Sequence, residues 1–243
     1  MLKRLRLALL AVLVLVGGVY VAVHRAKTVS PEIDFSAQVP PGADQVVLVE
    51  AAGKQSTTAQ VWVMERTSKN TWTRVHGPYT AHTGRSGFRL PAERHEGDGT
   101  TPIGAFALSA AFGQGNRPGG SLPYTVVTPG QCWVSSSDRD DYNRWIPGGL
   151  CGTTDVDLFE KSKPNAIFHT AMVMDFNIGD RVKDRGSAIF FHCNVTEKGQ
   201  VLATYGGISL AEGDLRTIIS SIDVSKNPVA VIGPDSTFAA KPA

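Results

Sequence analysis

Short runs of β-branched and aromatic residues, each about as long as a strand and set off by glycine or proline, constrain this chain more than any other feature. Gln45–Ala51 and Ala59–Met64 are the first two such runs and read as a hairpin around Gly53 and Lys54. Others lie at Trp72–Val75, Tyr79–Thr83, Ala105–Leu108, Tyr124–Val127, Ala166–Phe176 with a break, Ala188–His192 and Val229–Ile232, a spacing that fits a sandwich or barrel. Between Gly84 and Gly152 glycine and proline are dense, which predicts turns and loops rather than long helices. One helix is signalled near the C-terminus. Ser209-Leu-Ala-Glu212 has the pattern of a capping box, and Leu215, Ile218, Ile219 and Ile222 then recur at i, i+3, i+4 and i+7. The expected fold is mainly β, mixed sandwich or barrel-like, over residues 45–235, with residues 236–243 as a flexible tail. With 243 residues and 42% of them hydrophobic, the chain can bury a core and is not disordered.

The N-terminus carries a different signal. After Met1-Leu-Lys-Arg-Leu-Arg6, the stretch Leu7–Val23 is uncharged and almost wholly apolar, and His24-Arg25-Ala26-Lys27 follows. Residues 1–27 read as a signal anchor that enters or crosses a membrane, without a clear small-x-small cleavage site after it. The basic cluster ahead of the apolar run places the N-terminus in the cytoplasm and the rest outside, as a single-pass membrane protein, or as a secreted one if the segment is removed. Residues 28–44, with Pro31, Pro40, Pro41 and Gly42, read as a tether. The net charge of +2 belongs to this leader: without its five Lys and Arg, 19 basic residues face 22 acidic ones, a net of −3. A mildly acidic body with no basic cluster argues against nucleic acid as a partner.

Outside the membrane, thiols can oxidise. Cys132 and Cys151 lie in a Gly-, Ser- and Asp-rich stretch without Cys-x-x-Cys spacing, so a structural disulfide is expected, worth roughly 3 kcal/mol in the chain-entropy model. Cys193 is then the free thiol. It is next to His192 on a strand, and successive strand residues face opposite ways, so a His192 facing a cleft would turn Cys193 into packing. A zinc site from His169, His192 and Cys193 lacks ligand spacing, and His95-Glu96-Gly97-Asp98 lacks the repeated Asp/Asn of a calcium loop and reads as a solvated turn; no metal and no cofactor are expected.

The segment Gly186-Ser-Ala-Ile-Phe-Phe-His192, followed by Thr204-Tyr-Gly-Gly-Ile-Ser-Leu210, resembles the catalytic segment of the L,D-transpeptidase (YkuD-like) family, where a strand histidine precedes a Ser/Thr-x-Gly-Cys turn. Glu96-Gly-Asp-Gly-Thr-Thr-Pro-Ile-Gly-Ala-Phe106 is similar to the family's Gly-rich Thr-Pro-x-Gly strand entry, and Tyr142-Asn143 to an element common before the site. The resemblance covers about Gln45 to Ile232. It implies an extracytoplasmic protein of cell-wall metabolism whose partners are peptidoglycan stem peptides. It also implies His192 as base and places Tyr142 and Asn143 by the site, where Trp145 of the same long loop is expected to flank the groove. The loop Thr204, Tyr205, Gly206, Gly207, Ile208 and Ser209, just ahead of the signalled helix, is expected to offer its amides at a helix N-terminus to an oxyanion. The departure is Gly207, which stands where the family has its nucleophilic cysteine. Two readings follow: a pseudoenzyme that binds stem peptides, or a transpeptidase with a displaced nucleophile such as Cys193.

Overall fold

Nine strands make one sheet in the computed structural model, which describes residues 33–68 and 71–240. They are β1 Gln45–Ala51, β2 Thr58–Ser68, β3 Thr71–His82, β4 Gly104–Gly113, β5 Tyr124–Val126, β6 Thr170–Met174, β7 Phe190–Cys193, β8 Ile208–Leu210 and β9 Val229–Pro234. Their order is β6-β7-β8-β3-β2-β1-β9-β4-β5, and β6 also pairs with β4, so eight strands close into a barrel with β5 appended to β4. The protein is therefore mainly β. The pairs β7–β8, β9–β1 and β4–β5 are parallel and the rest of the sheet is antiparallel.

The β1–β2 hairpin forms as its alternating apolar residues require, with Val47, Val49, Val61 and Val63 on the barrel's inner face and Val46, Leu48, Trp62 and Met64 on the outer. β3 runs as one strand where two were expected. Gly77 and Pro78, which read as a break, are absorbed by a register irregularity opposite Val61 and Val63. A Cβ at Gly77 would lie 2.4 Å from the Val61 carbonyl oxygen, so only glycine lets β2 pass so closely.

The α-helices among the described residues are α1, Leu158–Lys161, and α2, Glu212–Ser221. Leu215, Ile218 and Ile219 of α2, with Ile222 just beyond it, bury the predicted face in the inner core beside Phe191, Ile208 and Leu210. Its start differs from the expectation. Ser209 is committed to β8, the N-cap is Ala211 without a side-chain cap, and Glu212 instead accepts from Thr170 Oγ1 at 2.8 Å and meets His169 Nδ1 at 2.8 Å. Strand pairing on both sides of β8 outweighs the one hydrogen bond a capping serine would gain.

The folded unit extends past 45 and 235 at both ends. Phe35, Ala43 and Phe238 pack on the outer face of β1, β2 and β9, and Ile33–Asp34 pairs with Ala239–Ala240. A third cluster, on the outer face of β4, β6 and β7, is covered by Val127, Trp133, Leu158 and Phe168 from the long connection between β5 and β6. The Cys132–Cys151 disulfide closes an excursion of that connection, and Cys132–Trp133 pairs there with Trp145–Ile146 and Val156–Asp157. The membrane segment expected in residues 1–27 and the first part of the tether lie outside the described residues. Among the described residues no helix is long and apolar enough to cross a membrane.

Candidate functional site

Alternation along β7 decides what reaches the site. Phe190 and His192 leave by the outer face and Phe191 and Cys193 by the inner. Beyond Phe190 the covering connection parts from the barrel and leaves a cleft of about 560 Å³, lined among others by His192, Thr204, Tyr205, Gly207 and Ser209 on one side and by Ser135, Thr154, Val156 and Phe168 on the other. That volume suits a small ligand or a short peptide segment.

His192 is buried at the floor of the cleft. Its Nδ1 lies 2.9 Å from the Cys193 carbonyl oxygen, which can only accept, so the proton is on Nδ1 and the Nε2 lone pair is free. Burial pushes its pKa down to about 4 against the opposing pull of that hydrogen bond, and the ring is neutral at pH 7. Phe168 meets the ring edge-on at 5.8 Å. The Cδ2–Nε2 edge of the ring borders residue 207: a Cβ built there would lie 2.9 Å from Cδ2 and 3.0 Å from Nε2. A base thus borders a position that carries no nucleophile.

The turn around Gly207 is held by hydroxyls. Thr204 Oγ1 donates to the Gly207 carbonyl at 2.6 Å and accepts from the Gly206 amide at 3.0 Å. Thr101 Oγ1 accepts from the Gly84 amide at 2.8 Å, and the Arg85 amide donates to the Thr204 carbonyl at 2.9 Å. Two expectations change here. The Gly206 amide is already occupied and is not an oxyanion donor, and the Thr204 to Ser209 loop leads into β8 rather than straight into a helix N-terminus. A Cβ at Gly207 would also lie 2.6 Å from the Phe190 carbonyl oxygen, closer than real Cβ contacts, so the backbone has closed around the glycine.

Cys193 does not replace the missing thiol. It is buried in the inner layer, its Sγ donates to the Thr170 carbonyl at 3.4 Å, and it is not part of the cleft lining. Burial pushes the thiol up to about 11, so it stays protonated at neutral pH. The reading of Cys193 as a displaced nucleophile is therefore overturned by the strand geometry.

Tyr142, Asn143 and Trp145 do not line the cleft either; they support its walls. Tyr142 is buried, donates its hydroxyl to Glu96 and accepts from the Gly186 amide at 2.9 Å. Asn143 Oδ1 accepts from Trp133 Nε1 at 2.7 Å and from the Ala188 amide at 3.1 Å, tying the covering connection to the segment that enters β7. Trp145 packs edge-on against Phe112 and lines a separate depression with Asn143. Tyr205 is the aromatic residue at the mouth of the cleft, 73% exposed, with the Arg85 guanidinium 4.3 Å from its ring centre.

Two residues not named as site candidates reach the cleft. Arg94 precedes, and Glu96 belongs to, the stretch read as a solvated turn, yet Arg94 is 3% exposed and both line the cleft. Arg94 Nε donates to Thr100 Oγ1 at 3.0 Å, its Nη2 pairs with Asp98 at 3.3 Å, and Phe176 stacks 4.8 Å from its Cζ. A charged residue on each side of position 95, just ahead of Gly97-Asp-Gly99, was the available signal, since a tight glycine loop can fold charged neighbours back onto the body. A scan of the chain against models of protein families finds no match and a search among curated proteins finds none, so the chemistry of the cleft rests on its own residues.

Proposed function

We propose that this chain is an extracytoplasmic, membrane-anchored L,D-transpeptidase-like protein of cell-wall metabolism that binds peptidoglycan stem peptides in the cleft and does not join them. One observation carries the reading: the Cδ2–Nε2 edge of the His192 ring borders residue 207, beside which a base would meet its nucleophile, and residue 207 is glycine. The motif residues Gly186 to His192, Thr204 to Gly207 and Tyr142-Asn143, to which the family resemblance was traced, all gather around this cleft. Acyl transfer needs an atom that attacks the carbonyl. Gly207 has none, Cys193 lies behind the sheet, the Thr204 hydroxyl is engaged at the turn, and the Ser209 hydroxyl, which also lines the cleft, makes no hydrogen bond to His192 that would activate it.

The test is calorimetric titration of the full-length chain with a synthetic stem tetrapeptide, together with mass spectrometry of the peptide after prolonged incubation. Saturable binding with unchanged peptide mass is expected. Failure to bind, or the appearance of a cross-linked dimer of stems, overturns the reading. Exposure to a carbapenem, which acylates the family's cysteine, is expected to leave the protein's intact mass unchanged.

A further inference from the structure

A second depression, of about 430 Å³, lies on the outer face of β4 and β6 and shares no lining residue with the cleft. Its surface is mostly apolar. Phe112, Trp133 and Val173 line it as buried residues, and Ala110, Trp145 and Ile178 stand around them half-buried.

One carboxylate enters this apolar surface. Asp175 follows Ala171 and Val173 on the outer face, just past the end of β6, and lines the depression. Opposite it β4 bulges: Val173 pairs with Ala110 and Met174 with Leu108, so Ser109 is an extra residue between them. A bulge re-aims the side chain it carries, and here the Ser109 hydroxyl lines the same depression and donates to the Asp175 carboxylate.

That hydrogen bond leaves the charge without a counter-charge. Among the described residues no Lys, Arg or His pairs with Asp175. Arg144 is exposed at the rim, yet Arg139 and, less strongly, Arg144 hold the Asp141 carboxyl down, and neither acts on Asp175. Burial raises the Asp175 carboxyl, and the Ser109 hydrogen bond opposes that rise only in part. A half-buried carboxylate in apolar surroundings is costly, and a bound cation relieves it.

The chemistry of the walls narrows the ligand further. An anion meets Asp175 with like charge, and a neutral hydroxyl donates to the carboxylate without neutralising it. A bare metal ion needs more oxygen ligands than one carboxylate and one hydroxyl supply. An ammonium on an alkyl chain satisfies both parts of the depression, the head on the carboxylate and the methylenes on the apolar surface.

We propose that this depression is a binding site for a primary ammonium carried on an alkyl chain, the ammonium on the Asp175 carboxylate and the chain along Trp145 and Ile178. The depression is separate from the cleft, so this assignment stands or falls apart from the peptidoglycan reading.

Trp145 supplies the readout. In nuclear magnetic resonance titrations of the full-length chain, its indole N–H signal, identified by its loss in Trp145→Phe, is expected to move with butylamine. The apparent affinity is expected to be at least about tenfold above those of 1-butanol and butyrate, the range for one charge-assisted hydrogen bond. This comparison on the native chain needs no variant. Asp175→Asn is expected to erase the preference for the amine over the alcohol, whereas Ser109→Ala, which keeps the carboxylate, is expected to retain it. Equal affinities for amine and alcohol, an unmoved Trp145 signal, or an amine preference that survives Asp175→Asn overturns the proposal. Acetyl-alanyl-lysyl-alanine amide presents the same ammonium from a peptide: binding tighter than that of butylamine assigns the site to a lysine side chain of a peptide, and weaker binding assigns it to a free amine.

Discussion

The two faces of β7 and β8 meet opposite fates. On the inner face Phe191, Cys193, Ile208 and Leu210 are sealed beneath α2, and the one polar hydrogen there, the Cys193 thiol, has the Thr170 carbonyl as acceptor. On the outer face the same strands present His192, Gly207 and Ser209 to a cleft, where Ser209 Oγ and Arg94 Nη1 are buried without partners. The inner face is built for packing, where every group is satisfied. The outer face gives up some of that satisfaction, as sites for ligands do.

The largest way to break this contrast is from within. Phe191→Ala empties a fully buried position of the inner core and is expected to lower unfolding free energy by about 3–5 kcal/mol in urea titration. A loss below about 1 kcal/mol would mean the inner layer is not the tighter of the two.

The outer face responds to pH instead. His192 is neutral in the fold with its pKa pushed down to about 4, whereas the unfolded chain takes up that proton near 6.5. Between those values the unfolded state binds more protons, so stability falls as pH drops through this window, by up to roughly 3 kcal/mol, and the contribution stops changing below about 4. Urea midpoints for the native chain and for His192→Gln, compared at neutral pH and near pH 4, should show a shallower pH dependence in the variant. Identical slopes would remove His192 from the buried floor.

Gly207→Ala tests how far the cleft has closed around its missing side chain. The added Cβ would meet the Phe190 carbonyl oxygen, a backbone atom that cannot swing aside, at 2.6 Å, and a loss of about 1–3 kcal/mol is expected. A neutral result would show that the turn yields easily, and that a nucleophile could be restored at 207 without strain. The smallest effect belongs to Glu212→Gln. Its contacts to His169 and Thr170 tie α2 to β6 at a partly exposed point, and the loss should stay below about 1 kcal/mol in the same titration.

The strands were legible wherever their signal was local. Gln45–Ala51 matches β1 residue for residue, and the apolar series Leu215, Ile218, Ile219 and Ile222 lies on the buried face. Alternation alone also placed Cys193 behind a cleft-facing His192. Legibility ended where a distant partner decided the outcome. Ser209 satisfies a capping pattern, but β3 and β7 recruit it into a strand. Gly77 and Pro78 resemble a break, but β2 pairs on both sides of them and carries β3 through. Tyr142 and Asn143 were placed near the site, yet their polar atoms point into its scaffold, towards Glu96, Gly186 and Ala188.

From the sequence alone came the β-rich class, the amphipathic face of α2, the pairing of Cys132 with Cys151, and the absence of a side chain at 207. These follow from residue identity and short-range periodicity, which act within a few residues of each other. Only the tertiary structure decided that the sheet closes through β4 and β6, that Arg94 and Glu96 share a cleft with His192, and that Gly207 lies against the Phe190 carbonyl. Those contacts join residues up to about a hundred positions apart, and their register depends on which faces of the barrel could be buried together.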